Sequence, residues 1–557
     1  MKIKITGYFH LFIVFLSASQ IIAQDAYAPL NQDYYHLIDR EEVLNKNFNP
    51  VIHSSYKPYK RSHIALAVDS VSKTQVNKNY LLTDNWEFGF DSLAQSRNPF
   101  LKWFYRSKPD MYHVKTKDFL LKASPVLYLG IGRDNNAASN PFVNTRGAEI
   151  RGSIDDKVGY YAFVGENQAL FPAYIQRYTA DRGVVPNEAF WKKFGEDGGV
   201  DFFTARGYFT FRATKHIGIQ FGHDKNFIGN GYRSLVLSDF SAPSTFLKIQ
   251  TNIWRIQYTN LFTEMIADAP YTDFGSNGTE VFPKKFMAAH HLSINITNNF
   301  NLGFFEAIMF HRGDSTSDAF EWNYLNPIIF YRSIEQFTGS PDNAIFGMDF
   351  KWNVVKGVQL YGQILLDEIV VSELKSGEGW WGNKYALQFG AKHFNVFNVD
   401  NLDFKAEYNI ARPFTYSHES IFTNFTHYRQ PLAHPLGANF KEFVFIGRYQ
   451  PIPYLYLTAK VIAAKYGTDP EGENYGQDVL KDYNTRTQEY GNEIGQGIPN
   501  DLLYMDLTAS YMLRHNLFID LKHIYRRLDS GEPTAIETTN FTSFALRLNI
   551  AMKDHSF

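Results

Sequence analysis

Leu402-Asp403-Phe404-Lys405-Ala406-Glu407-Tyr408-Asn409-Ile410 alternates without a break. Successive side chains of a strand point to opposite faces, so Leu402, Phe404, Ala406, Tyr408 and Ile410 share one face. Asp403, Lys405, Glu407 and Asn409 fill the other. A dry sandwich core excludes such a charged face, because several unpaired buried charges would be prohibitive. A water-filled lumen accommodates it, and the apolar face then meets lipid. The pattern recurs where Leu503, Met505, Leu507 and Ala509 oppose Tyr504, Asp506, Thr508 and Ser510. It recurs again near the C-terminus, where Phe544, Leu546, Leu548, Ile550 and Met552 oppose Ala545, Arg547, Asn549 and Ala551.

From Asp118 onward the chain reads as about 18 such strands, an all-β transmembrane antiparallel barrel over 116–557. Connection lengths support this independently. Short ones such as Ala213–His216, Thr297–Asn299 and Leu513–Asn516 alternate with long ones near 167–199, 222–243, 413–439 and 467–501. Tight periplasmic turns and long surface loops are the habit of outer-membrane barrels, which puts both chain ends on the periplasmic side. Composition agrees: aromatic residues make up 17% of the chain, with 49 Phe and 35 Tyr. No segment after the N-terminus approaches the ~18 apolar residues of a membrane helix.

Lys2 and Lys4 precede an apolar run from Tyr8 to Leu16, and small-residue cleavage is offered after Ala23. Residues 1–23 therefore read as a secretory signal peptide. Residues 24–115 do not alternate; helical spacing over Asn31–Asn45 makes them a segment of helices and turns, expected to plug the lumen. A barrel this wide leaves an aqueous channel unless something fills it. With no Cys in the chain, disulfides and thiolate metal sites are excluded. The net charge of −2, or −4 without Lys2 and Lys4, gives no reason to expect nucleic acid.

One stretch breaks the alternation with a distinct composition. Gly222-His223-Asp224-Lys225-Asn226-Phe227-Ile228-Gly229-Asn230-Gly231-Tyr232-Arg233-Ser234 follows the strand from His216 and runs on to Asp239. Gly222, Gly229 and Gly231 suit a loop of fixed shape around charges, amides and aromatics. A second stretch is Tyr324-Leu325-Asn326-Pro327-Ile328-Ile329-Phe330-Tyr331-Arg332-Ser333, followed by Gly339-Ser340-Pro341-Asp342-Asn343-Ala344. Asn326-Pro327 reads as a turn, with Tyr324 and Tyr331 packing inside the lumen. Both stretches resemble the signature of the Wzi-type capsule-assembly outer-membrane barrels, and most closely their relatives among the RemB-type gliding-motility proteins of Bacteroidetes. The resemblance implies an occluded barrel that holds capsular polysaccharide at the cell surface. It also implies partners among outer-membrane lipid, surface polysaccharide and the gliding or secretion machinery.

Sugars present apolar ring faces with hydroxyl edges, so their sites mix aromatics with amides and charges. Asp224, Lys225, Asn226, Asn230, Tyr232 and Arg233 form one such mixture, and Trp380 with Trp381 another. The competing reading pairs Asp224, Lys225 and Arg233 with wall charges such as Lys405 and Glu407, and places Trp380 and Trp381 in an interfacial aromatic belt. The acidic loop 467–501 reads as an ordinary solvated surface loop. Enzyme motifs are absent: no Gly-x-Ser-x-Gly elbow, no phosphate loop, and only a chance Gly313-Asp314-Ser315. His290 and His291 point to opposite faces of a strand and cannot share a metal. The expectation is a non-catalytic, cofactor-free polysaccharide organiser. The alternatives are a transporter for small molecules and a barrel hydrolase built on Ser315.

Overall fold

The computed structural model describes residues 26–31, 35–69, 75–85, 109–267, 282–314, 317–327, 331, 342–531 and 536–557. The expected signal peptide, part of the N-terminal segment and Ser315 lie outside the described residues. Eighteen long strands, from Phe119–Asp134 to Ile536–Leu548, form a closed antiparallel barrel. The last strand pairs with the first, Phe541 opposite Asp134 and Leu548 opposite Leu127. Two short strands, Tyr112–Lys115 and Lys192–Phe194, lie against Phe119–Asp134 and Gly199–Arg212. The two faces separate as the alternation requires: Phe203, Phe209, Leu507 and Phe544 are exposed outward, while Asp403, Glu407, Asp506 and Arg547 are buried inward.

Three helices, α1 (Tyr35–Leu44), α2 (Arg61–Asp69) and α3 (Gln75–Asn85), pack across the short-turn end. Polar bonds attach them to the wall and its turns. Arg40 Nη1 donates to Asp403 Oδ1 (2.5 Å), Lys351 Nζ to Glu42 Oε1 (2.7 Å) and Tyr80 OH to Asn516 Oδ1 (2.9 Å). Their apolar sides, including Leu37, Ile38, Ile64 and Leu81, share a core with Met512 and Phe518 of the wall. Between α1 and α2 the chain rises into the lumen, where Tyr56–Lys57 pairs antiparallel with Phe227–Ile228. Above that pairing, Leu235, Val236 and Leu237 meet Tyr416, Phe425 and Leu432 of the 413–439 loop in a buried apolar layer.

Two expectations are corrected. The last strand ends at Leu548, so Ile550 and Met552 are not on the lipid face. Asn549 takes a left-handed conformation (φ 54°), which asparagine tolerates better than most residues, and residues 549–557 turn into the lumen. Ile550 packs against a core that includes Tyr27, Tyr161 and Tyr208.

The second correction concerns Tyr324 and Tyr331, which lie outside the wall. They cluster with Phe262, Phe286, Ala288, Ile308 and Phe310. Those residues share strand parity with the outward-facing Phe304 and Met348. The inward parity instead carries Met287, Phe305, Met309 and Lys351. Tyr331 OH bonds His290 Nε2, Tyr258 OH donates to Pro327 O (2.5 Å), and Tyr324 OH donates to Asp342 Oδ2 (2.6 Å). Outward wall positions here include Asn260, His290 and Glu306, which bare lipid would penalise. Residues 320–327 and Tyr331 lie against this part of the wall.

Candidate functional site

The 222–239 loop sits in the middle of the lumen, and each of its predicted polar residues has partners there. Lys225 N–H donates to Asp224 Oδ1 (2.8 Å), and Arg206 Nε lies 3.8 Å from the same oxygen. Lys225 Nζ donates to the carbonyls of Asn187 (2.6 Å) and Asp239 (2.9 Å). Asn226 Oδ1 accepts from Tyr56 OH (3.1 Å) and Lys248 Nζ (3.2 Å), and Asn230 Nδ2 donates to Ser55 Oγ (3.3 Å).

Glu407 anchors the loop's tip to the wall. Its carboxylate accepts from the backbone N–H groups of Tyr232 (2.7 Å) and Arg233 (3.1 Å) and from Tyr361 OH (2.9 Å). Gly231 makes that approach possible, since a Cβ there would lie 2.4 Å from Glu407 Oε2. Gly229 holds φ at 137°, where a side chain would strain the backbone. The Arg233 guanidinium bonds Glu442 (Nη2 to Oε1 2.9 Å) and the Ser556 carbonyl (2.6 Å); His434 Nε2 lies 2.7 Å from Glu442 Oε2. Glu407 thus meets the loop through backbone N–H groups, while the wall charge that pairs with the Arg233 guanidinium is Glu442; among the described residues no hydrogen bond or ion pair joins Lys405 to the loop.

The C-terminal tail completes the arrangement, and the sequence reading missed it. Tyr232 OH donates to Asp554 Oδ2 (2.8 Å) and also bonds Ser556 Oγ, while Lys460 Nζ donates to Asp554 Oδ2 (2.5 Å). The Phe557 ring lies against Tyr174, Tyr178 and Phe240. The available signal was Asn549, followed by the polar run Lys553-Asp554-His555-Ser556. Alternation carried through to Met552 concealed it.

Between the tail, the loop, α1 and the wall lies a cavity of about 460 Å3, which reaches the periplasmic rim at Asn401, Gln450 and Asn549. Lys225, Gly231, Tyr232 and Arg233 line it, with ten Lys and Arg against seven Asp and Glu around its surface. Aromatic faces and polar groups of both signs converge there, as a saccharide requires. Among the described residues, no cluster of His, Asp or Glu is placed to hold a metal ion.

Trp380 and Trp381 are elsewhere, half-buried in the extracellular cap. Trp381 lies beneath the Arg486 guanidinium (4.2 Å) and beside Tyr483 (5.0 Å), and Phe414 touches its ring edge-on (6.0 Å). The link to the lumen runs through the same loop as Phe414, whose Tyr416 OH donates to Leu235 O (2.8 Å). The 467–501 loop is part of this cap: Glu489 pairs with Arg486, and Asp478 accepts from Arg182 Nη1 (2.9 Å). Burial works against the Asp478 charge, but Arg182 more than offsets it and holds the carboxyl below its usual range. Asn326 and Pro327 belong to neither place; they are exposed on the barrel's outer face.

The model of the capsule assembly protein Wzi family matches residues 133–551. The chain belongs to the Wzi capsule-assembly family. Wzi-family membership and the eighteen-stranded wall place it in an outer membrane, with the long loops at the surface. A solved Escherichia coli structure agrees over 95% of this chain and 100% of its own, with TM-score 0.57 and 13% identity. That protein is described as Wzi, an outer-membrane protein involved in group 1 capsule assembly and a carbohydrate-binding β-barrel. Pseudomonas aeruginosa OprD (TM-score 0.42, 10% identity, 77% of this chain and 94% of that one) is a more distant likeness. So is Acinetobacter baumannii OccAB2 (0.42, 8%, 77% and 97%). No curated protein sequence matches the chain.

Proposed function

We propose that this barrel is a non-catalytic binder that retains and organises capsular or exopolysaccharide at the cell surface. The observation that carries the proposal is the lumen of a Wzi-family barrel filled by loop, tail and helices, with a cavity of polar and aromatic surfaces among the described residues. Trp380 and Trp381 are the proposed contacts in the cap. Lys225, Tyr232 and Arg233 are the proposed contacts in the cavity, with Asp224, Asn226 and Asn230 holding the loop that presents them. Support of gliding, with gliding or secretion proteins as partners, is the finer proposal, reached through the polysaccharide the barrel retains. A transporter reading needs a path that loop, tail and helices together obstruct.

The test is a clean deletion complemented with wild type or with Trp380→Ala plus Trp381→Ala. Cell-bound polysaccharide is measured alongside the abundance of heat-modifiable barrel. The deletion is expected to shed polysaccharide into the medium, and the double variant to do so with normal barrel abundance. Unchanged cell-bound polysaccharide in the deletion strain would overturn the proposal.

A further inference from the structure

Lys405 is the anomaly of the inner wall. It sits directly opposite Lys392 in the strand pairing, with both side chains on the lumen face. Residues opposed in this way have Cβ atoms about 5 Å apart, and like charges so placed repel. Lys392 is neutralised, its Nζ 2.8 Å from Asp39 Oδ2. Lys405 has no hydrogen bond or ion pair among the described residues, yet it lines the main cavity and a small recess beside it.

The neighbouring carboxylate is already committed. Asp403 takes Arg40 Nη1 at 2.5 Å and His36 Nε2 at 2.9 Å. Arg448, opposite Asp403 in the pairing, donates Nη1–H to His36 Nδ1 (3.3 Å). Nδ1 therefore accepts, the ring proton is on Nε2, and His36 is neutral. Burial and then Arg448 push its pKa down to about 4, consistent with that tautomer. Lys57, also on the cavity, donates to a carbonyl, Gly229 O (3.3 Å), and lies over the Phe227 ring (4.8 Å). The nearby carboxylates Asp403 and Asp39 thus already hold other cations, Arg40 and Lys392, and Lys405 itself lies on the cavity.

We propose that Lys405, flanked by Arg448 and Lys57, is an anion subsite of the cavity that takes the carboxylate of an acidic saccharide. The assignment rests on the polysaccharide reading above and narrows it to uronate-type sugars. Lys405 supplies the point charge, Arg448 and Lys57 add to the positive field, and the Tyr35 ring lies on the same cavity. The cavity's volume lies within the range that small ligands occupy.

The experiment uses the full-length barrel in detergent and isothermal titration with oligogalacturonate, a neutral galactose oligomer of equal length, and inorganic phosphate. Wild type is expected to prefer the acidic oligomer over the neutral one by about tenfold or more, the scale of a charge-assisted hydrogen bond. Lys405→Met is expected to lose that preference and keep its neutral-sugar binding, and Lys405→Arg to retain most of it. The unliganded Lys405→Met barrel is also expected to unfold no earlier than wild type, because the cation it loses has no partner. A lower unfolding temperature would reveal a structural ion pair and overturn the proposal. Phosphate binding as tight as oligogalacturonate would overturn the saccharide assignment. Equal binding of both oligomers by all variants would overturn the subsite while leaving the polysaccharide reading intact; binding of neither would overturn both.

Discussion

The 222–239 loop and the 320–331 stretch look alike in sequence, both rich in aromatics and amides, yet they lie on opposite sides of the wall. The first folds inward, where Glu407, Glu442 and Asp554 meet its backbone and side chains. The second folds outward, and its Tyr324 and Tyr331 bury themselves among Phe262, Phe286 and Phe310. Charge separates them. Asp224, Lys225 and Arg233 need partners in a wet lumen, whereas the described part of 320–331 has only Glu321, which pairs with Arg312. The difference teaches that charge content sorts the irregular segments of this barrel between lumen and outer face.

The comparison breaks most readily at Arg233. Arg233→Met leaves Glu442 buried with only His434 and Asn409, and breaking one half of a buried ion pair costs about 3–5 kcal/mol. Heat-modifiability should show the folded form lost at a much lower temperature; an unchanged transition would mean that the loop is not anchored by this pair. Next in size is the bare outer wall. Phe544→Arg puts a charge into lipid at about 2–4 kcal/mol, whereas Leu548→Arg, at the periplasmic end of the strand, costs about 0–1 kcal/mol. Folded yield in the outer membrane should rank the two in that order, and equal depletion would contradict where the strand ends.

A smaller effect sharpens the outer half of the comparison. Tyr324→Phe removes one donor from Asp342, which keeps Arg312, so the loss is about 1 kcal/mol. Limited proteolysis should cut the 320–331 region faster while the barrel stays intact. A separate effect is set by pH at α1. His36 must stay neutral when docked, and its pKa is lowered from 6.5 to about 4, so its contribution is full above pH 6.5 and fades as pH falls toward 4. The slope is about 1.4 kcal/mol per pH unit within that window. Protease access to the N-terminal helices should rise between pH 6.5 and 5 in wild type and rise less in His36→Gln.

Much of this was legible because alternation is a strong local signal. The stretch from Leu402 to Ile410 reports its two environments residue by residue, and the short and long connections fix the orientation. Gly231 and Glu407 could each be singled out, but their contact could not, since it joins residues far apart in the chain. The tail was missed because Ile550 and Met552 continue the apolar rhythm after the strand has ended. The side chosen by Tyr324 and Tyr331 was misread because aromatics suit an apolar layer inside the lumen as well as an outer wall. His290, Glu306 and Asn260 were the clue, as outward polar residues that bare lipid would not tolerate.

The most direct test of the opposite-sides account exploits the absence of cysteine from the chain. Single nitroxide labels at Ser238→Cys and Asn326→Cys, in barrels reconstituted into bilayers, are measured by power saturation with lipid-soluble oxygen and with a water-soluble nickel chelate. Ser238 is buried in the lumen and Asn326 exposed on the outer face. The account predicts strong oxygen relaxation with weak nickel relaxation at 326, and little of either at 238. Oxygen relaxation at 238 equal to or greater than that at 326 would contradict it.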